Sequence, residues 1–201
     1  SGLSADDVIA QMEQRTGLFA DFDAKLDRKP DLIIHFGLEE VLDTGGLANL
    51  QGSLADGIIA SASAYASGLN VGVVGVDGVD ELTLPHEIGH LMGLVHSKAQ
   101  GEADGAFSWS RGHGINGDFV TTMGYSTAFD DAPALGYFSS PSLKCGDSEV
   151  PCGVARSDYG SGADAVLTLQ TTAYQIAAIS NGFSPILTVI GANPAVVTSE
   201  A

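Results

Sequence analysis

Four side chains that can bind a metal or move a proton lie within eleven positions of the segment LPHEIGHLMGLVHS, residues 84–97. They are His86, Glu87, His90 and His96, and the chain has only five histidines in all. Histidines four residues apart lie on one face of a helix with Cβ atoms about 5–6 Å apart, so both imidazoles can meet one tetrahedral ion. Three neutral nitrogen ligands leave the fourth position to water, which is the arrangement of a catalytic zinc site.

The glutamate between the first two histidines suits a second chemical role. Glu87 is rotated by about 100° from His86 around the predicted helix, so it lies beside the ion rather than bonded to it. A carboxylate there can take a proton from bound water as a general base. Thr83 is the predicted N-cap, and Pro85 falls in the first turn, where its missing N–H costs nothing.

A glycine between the second and third histidines explains their spacing. A continuing helix would carry His96 about 9 Å further along the axis than His90, out of reach of a shared ion. Gly93 tolerates the left-handed conformation that ends a helix and turns the chain back. The five fixed positions of H-E-x-x-H-x-x-G-x-x-H therefore predict a metal site far more strongly than a bare H-E-x-x-H does.

The elements that must position this helix can be read from apolar periodicity. Residues 4–26 predict one or two helical segments with a break at Gly17, and residues 163–182 predict a closing helix with Asn181–Gly182 as its C-cap. The segments KPDLIIHFG and NVGVVGVDG predict two buried strands. Residues 38–69 predict loops with some short strand, and residues 97–122 predict mostly loop.

Composition limits the classes of partner. The chain has 201 residues, 25 acidic and 8 basic, for a net charge of −17. Such a surface argues against nucleic acid, which needs clustered Lys and Arg, and suits a protein that stays soluble in a salty or extracellular medium. The same excess of carboxylates makes calcium a candidate second ion, although no segment matches an EF-hand loop.

The two cysteines, Cys145 and Cys152, stand in the segment CGDSEVPC. Six intervening residues with Gly and Pro favour a small disulfide loop over a zinc ligand pair, and a disulfide places a protein outside the cytosol. The start of the chain has no signal peptide, and its most apolar segment is too short to span a membrane. We therefore expect a mature, secreted chain whose leader has been removed.

The extended histidine motif resembles that of the metzincin clan of zinc endopeptidases. The match runs through His86, Glu87, His90, Gly93 and His96. The clan also has a methionine turn below its metal, which TTMGYS resembles. That resemblance implies that Met123 is the hydrophobic floor of the site, whereas by itself it reads as a core methionine.

Tyr125 matches the Met-x-Tyr of some metzincins, where the hydroxyl ligates zinc or stabilises the oxyanion; a structural tyrosine is the alternative. Within the clan, YFSSPSLKCG, PCGVA and the alanine-rich closing helix resemble the reprolysin-like (adamalysin-related) bacterial peptidases. Ser97 departs from that pattern. A serine after the third histidine is typical of matrixins, whereas adamalysins usually have Asp.

The resemblance implies an α/β (α+β) fold, in which a mixed, mainly parallel twisted sheet packs on the active-site helix. We expect residues 1–184 to form the catalytic domain, with an N-terminal subdomain of residues 1–96 and a smaller, irregular C-terminal subdomain of residues 97–184 that ends in a helix. Residues 185–201 are expected to be a tail or linker. The resemblance also implies that the substrate lies extended against the strand NVGVVGVD.

We expect a secreted zinc endopeptidase that cleaves a protein or peptide substrate, with Glu87 as general base and Tyr125 steadying the oxyanion. A zinc-holding binding module without proteolysis, or an inactive metzincin fragment, is the alternative; retention of Glu87 argues against the first. His35 lies in an apolar strand and His113 in a glycine-rich loop, so neither is expected to bind metal. Oligomeric state is not predicted.

Overall fold

The computed structural model describes residues 2–25, 30–50, 52, 55–59, 70–76, 82–101, 104–177, 187–191 and 196–198. The helices are α1 (Ala5–Gln14), α2 (Phe22–Lys25), α3 (Glu39–Leu42), α4 (Thr83–Leu91) and α5 (Ala165–Ala177). The strands are β1 (Leu32–Gly37), β2 (Gly46–Ala48), β3 (Val71–Gly75), β4 (Gly114–Ile115), β5 (Phe119–Val120), β6 (Lys144–Cys145), β7 (Val150–Pro151), β8 (Leu187–Gly191) and β9 (Val196–Thr198). Short 3₁₀ turns occupy Gly17–Phe19, Lys98–Gln100 and Ser126–Phe129.

The chain forms two compact units. The first contains residues 1–49, 60–91 and 174–201, and the second contains residues 50–59 and 92–173. The predicted helical start, both predicted strands, the metal-site helix and the closing helix are all present. The predicted C-cap at Asn181–Gly182 lies outside the described residues, and the domain limits at 96, 97 and 184 stay a prediction.

A five-stranded mixed sheet in the order β2-β3-β1-β8-β9 organises the first unit. Strand β1 pairs in parallel with both β3 and β8, whereas β2 and β9 are antiparallel to their neighbours. The expected mixed sheet is therefore confirmed, although parallel pairs do not predominate. Strand β3 is buried along its whole length, which is typical of a strand covered on both faces.

Each face of the sheet carries its own helix within the first unit. Alternate strand residues point to opposite faces, so Val73 packs with α1 while Val74 packs on the side of α4. Helix α1 begins at a capping box in which the Ser4 side chain accepts from the backbone of Asp7. The helix that carries the predicted ligands thus rests directly on the sheet, through Leu84, Ile88 and Leu91.

The structure corrects the expected substrate strand. The resemblance implies a substrate that lies extended against the strand near NVGVVGVD, but β3 is paired on both sides, with β1 and with β2. Its backbone groups are therefore used within the sheet. The short strand β2 stands at the end of the strand order as the described residues define it, and its glycine-rich sequence gave no clear strand signal.

Two segments of residues 185–201, read from the sequence as a tail or linker, are strands of the same sheet. Strand β8 pairs with β1 from Leu32↔Leu187 to Phe36↔Gly191, and β9 pairs with β8. The segment ILTVIG, residues 186–191, is an apolar run of the kind that predicts a buried strand, so the expectation of a tail was wrong for this segment. No helix in the described part of the chain is long and apolar enough to cross a membrane.

The second unit contains two short hairpins, β4–β5 and β6–β7, and most of the closing helix. Strands β6 and β7 form a hairpin closed by a disulfide between Cys145 and Cys152. Both cysteines are buried, in a cluster with Phe119. The predicted disulfide is therefore present, and it holds a segment of the unit that has little regular structure of its own.

Candidate metal centre and active site

Helix α4 places the first two candidate ligands. Its first hydrogen bond runs from the backbone N–H of His86 to the carbonyl of Leu82, at 3.0 Å. Thr83 is therefore the first helical residue rather than the predicted N-cap, while Pro85 lies in the first turn as expected. The ligands thus lie on rigid backbone close to the start of the helix.

The structure brings the three predicted metal-binding histidines together. The Nε2 atoms of His86 and His90 are 3.2 Å apart. One ligand atom from each of these residues and from His96 fits within a mutual separation of 4.8 Å. Two nitrogens bound to one tetrahedral ion at 2.0–2.1 Å would be roughly 3.3–3.4 Å apart, so the observed pair fits a shared ion.

Gly93 follows the end of α4 in the left-handed conformation expected from the sequence. Gly93 has φ +88°, the left-handed conformation that a residue with a side chain adopts only at a cost. Its carbonyl accepts from the backbone N–H of Ala106 at 2.9 Å. Val95 then donates to the carbonyl of Ser110 at 2.9 Å, which fixes the backbone directly before His96.

Glu87 is a buried carboxyl group, with 6% of its surface exposed. Burial raises its pKa to about 7, because the charged form loses hydration. A bound cation would favour the carboxylate and lower that pKa again. A Glu whose pKa lies near neutrality can both accept and return a proton, as a general base must.

Met123 lies within a tight turn of the second unit, and Tyr125 comes directly after that turn. The backbone N–H of Gly124 donates to the carbonyl of Thr121 at 2.8 Å, and Met123 is fully buried against Leu94 and Ala165. The Tyr125 side chain is half exposed, and its ring centroid lies 4.6 Å from that of His96. Met123 is thus a core residue, and its role as the floor of a metal site stays a prediction.

Gln100 is a residue near the site that sequence reasoning missed. Its Oε1 accepts from the Ser97 hydroxyl at 2.7 Å, from the Ser97 backbone N–H at 3.3 Å and from the Tyr125 backbone N–H at 3.2 Å. The signal was present as Ser-x-x-Gln, the pattern of a capping box. The Ser97–Gln100 segment directly follows the third histidine, and in the sequence its most visible feature is the departure of Ser97 from the family pattern.

The other two histidines lie apart from this cluster. His35 packs edge-on against Phe19, and His113 packs against Phe119; burial lowers the pKa of both imidazoles. Within the described ranges, the three-histidine cluster is the single group of three or more metal-ligating side chains close enough to share an ion. Among the residues that the structure describes, no second cluster supports calcium.

Two histidines and a buried glutamate on one helix, joined by a third histidine beyond its end, form the donor set of a hydrolase that works with one metal ion. Comparisons with known proteins agree. Residues 36–157 match the model of the reprolysin-like metallo-peptidase family M12B. This match covers more than half of the chain, so the protein belongs to the reprolysin-like metallopeptidases, which are enzymes that hydrolyse peptide bonds.

One relative is the peptidyl-Asp metalloendopeptidase of Pseudomonas aeruginosa, which is 38% identical over 108 residues. The match covers 47% of this chain and 17% of the relative, so the chain spans only a small part of that protein's length. A solved structure described as "Structure of a chaperone-substrate complex" is similar in fold, with a TM-score of 0.58 and 20% identity. That likeness covers 89% of this chain and 25% of the other, and at this identity it supports the fold alone.

Proposed function

We propose that this chain is a secreted zinc endopeptidase domain in which His86, His90 and His96 bind the ion and Glu87 is the general base. The observation that carries the proposal is the fit of three imidazoles to one ion beside a buried carboxyl group. Family membership supports peptide hydrolysis as the reaction. The presence of Glu87 argues against the alternative of a binding module, since a metal site kept only for structure has no use for that base.

Zinc is the metal that this donor set suits best. Three neutral imidazoles with an open fourth position are typical of catalytic zinc, whereas calcium and magnesium prefer oxygen ligands. When bound, zinc polarises the scissile carbonyl and lowers the pKa of the attacking water. Residues of the chain carry out the proton transfers and stabilise the oxyanion.

Glu87 takes a proton from the attacking water and later delivers it to the leaving amine. Its position supports this role, because the buried carboxyl group lies on the same helix as His86 and His90. The Tyr125 hydroxyl donates to the oxyanion of the tetrahedral intermediate. The contact between the Tyr125 and His96 rings supports a place for Tyr125 beside the reaction.

The substrate is an extended segment of protein that pairs with β2. An edge strand can bind a peptide through its main chain, which gives affinity with little dependence on sequence. Strand β2 lies against α4, and Gly46 at its start approaches the Glu87 carboxyl group. The Thr44 hydroxyl donates to the Gly46 carbonyl at 2.9 Å and accepts from the Gly46 N–H at 3.3 Å, so a peptide that pairs at Gly46 would displace this hydroxyl.

The relative's name also suggests a preference for bonds next to aspartate, which we propose as the specificity to test first.

Residues 129–141, which follow the methionine turn, are the segment we expect to line the pocket for the residue after the cut. The disulfide supports a place outside the cytosol, because cytosolic thiols are kept reduced.

Digestion of an unfolded protein with sequencing of the new termini tests this function. We expect cleavage that a chelator abolishes and added zinc restores, with aspartate enriched at the cut sites. Cleavage without aspartate enrichment would remove the specificity but keep the enzyme class. Zinc binding without any cleavage would favour the binding module.

A further inference from the structure

We propose that Gln100 is a positioning residue that holds His96 and Tyr125 in one geometry. The inference rests on the proposed function, since it concerns how the site is held for catalysis. A single amide oxygen receives donors from two separate chain segments, one directly after His96 and one at Tyr125 itself. The side chain therefore links the third ligand's segment to the exit of the methionine turn.

The first part of the link joins Ser97, directly after His96, to Gln100. Ser97 is almost fully buried, and both its hydroxyl and its backbone N–H donate to Gln100 Oε1. The backbone N–H of Gln100 in turn donates to the Ser97 carbonyl at 3.0 Å. Gly101 then ends the turn in the left-handed conformation, with its N–H on the Lys98 carbonyl at 3.0 Å. Ser97 and Gln100 are consequently joined by three hydrogen bonds.

The second part of the link joins Gln100 to the backbone of Tyr125. Its backbone N–H donates to Gln100 Oε1 at 3.2 Å, and its ring lies 4.6 Å from the His96 ring. The backbone hydrogen bond to Gln100 thus sets the position from which the Tyr125 hydroxyl reaches the substrate.

This arrangement also accounts for Ser97, where the reprolysin-like pattern has Asp. A serine hydroxyl can donate to the Gln100 amide oxygen, whereas an ionised aspartate could only accept and would face that oxygen with another acceptor. The pair Ser97 and Gln100 therefore works as a unit. A shift of about 1 Å at a catalytic group can cost 100-fold in rate, so such a link is large enough to matter.

Gln100→Leu removes the acceptor and keeps a similar size. Gln100→Glu keeps an acceptor oxygen in the same place, and Gln170→Leu is the matched control because Gln170 is exposed on α5. We expect Gln100→Leu to lower kcat by about 10–100-fold with KM within about twofold. We also expect about 10-fold weaker zinc binding in chelator competition and an altered visible spectrum of the Co²⁺-substituted protein. Gln100→Glu should recover most of each property.

The inference is overturned if Gln100→Leu behaves like Gln170→Leu, or if Gln100→Glu is as impaired as Gln100→Leu. Should Gln100→Leu fail to fold, Gln100→Asn replaces it, because asparagine keeps the amide but withdraws the oxygen by one methylene. If the wild type binds zinc but cleaves nothing, the proposed function fails, while zinc affinity and the Co²⁺ spectrum still decide the role of Gln100.

Discussion

Gly46 and Glu87 approach so closely that no side chain fits between them. A Cβ at Gly46 would meet the Glu87 carboxyl group, with Cδ at 2.9 Å and the Thr83 methyl group at 2.8 Å. A side chain at residue 46 would therefore force the Glu87 carboxyl group or the Thr83 side chain to shift. The approach presses the backbone of the edge strand against the proposed general base.

Gly46→Ala should displace the Glu87 carboxyl group and lower kcat by about 10–100-fold, since a catalytic group moved by about 1 Å loses this much. Zinc content should stay unchanged, because Glu87 is not one of the proposed ligands. Gly45→Ala is the control, as a Cβ there meets nothing within 4 Å. Equal activity in the two variants, measured on one peptide, would show that Gly46 does not position Glu87.

Gly93→Ala should destabilise the protein by about 1–2 kcal/mol, because alanine is strained at φ +88°. It should also weaken zinc binding, since the turn at residue 93 brings His96 back to the ion. Gly117→Ala is the matched control, with φ +68° and open space around its Cβ. Urea unfolding and chelator competition check the two effects; a loss of zinc affinity in both variants would contradict the link between Gly93 and His96.

Removal of the disulfide by Cys145→Ser with Cys152→Ser should cost about 2.5 kcal/mol on the chain-entropy model for a loop of about eight residues. The metal affinity should be kept, because neither cysteine belongs to the histidine cluster. Thermal unfolding of the wild type with and without a reductant provides the same comparison without mutation. A reductant that leaves Tm unchanged, with free thiols verified, would contradict a stabilising role for this loop.

Acid should destabilise the fold through His35. Burial lowers the pKa of this imidazole, so the unfolded state takes up its proton first. The contribution of neutral His35 is present above the unfolded pKa of about 6.5, and it is lost as pH falls below that value towards the lowered folded pKa. His35→Gln should reduce the dependence of the unfolding free energy on pH, by up to about 1.4 kcal/mol per pH unit.

Urea unfolding between pH 7.5 and 5.5 measures this slope, with His113→Gln as a comparison because burial lowers that pKa as well. Each substitution should remove part of the wild-type slope. The same slope in the wild type and both variants would show that neither imidazole is held neutral by the fold.

The candidate site could be predicted from the sequence because its spacing is dictated locally. The helical repeat sets His86 and His90 one turn apart, and a glycine that must take positive φ returns the chain towards His96. The buried strands β1 and β3 were likewise visible as short apolar runs. In each case the pattern lies within a dozen consecutive residues.

Contacts between distant segments were beyond such reasoning. Nothing in a glycine-rich stretch indicates that Gly46 begins an edge strand, or that the strand lies on Glu87. The pairing of β8 with β1 joins Leu187 to Leu32, and no local pattern indicates a partner so far along the chain. The hydrogen bond from Tyr125 to Gln100 joins residues 25 positions apart, so only the folded chain reveals it.

The most direct test compares the purified wild-type chain with Glu87→Ala and Glu87→Gln for bound zinc and for cleavage of an unfolded protein. The account predicts one zinc ion per chain in all three proteins, cleavage by the wild type, and a loss of rate in both variants of at least about 100-fold. Variants that cleave as fast as the wild type, or a wild type that cleaves without bound metal, would contradict the proposed mechanism.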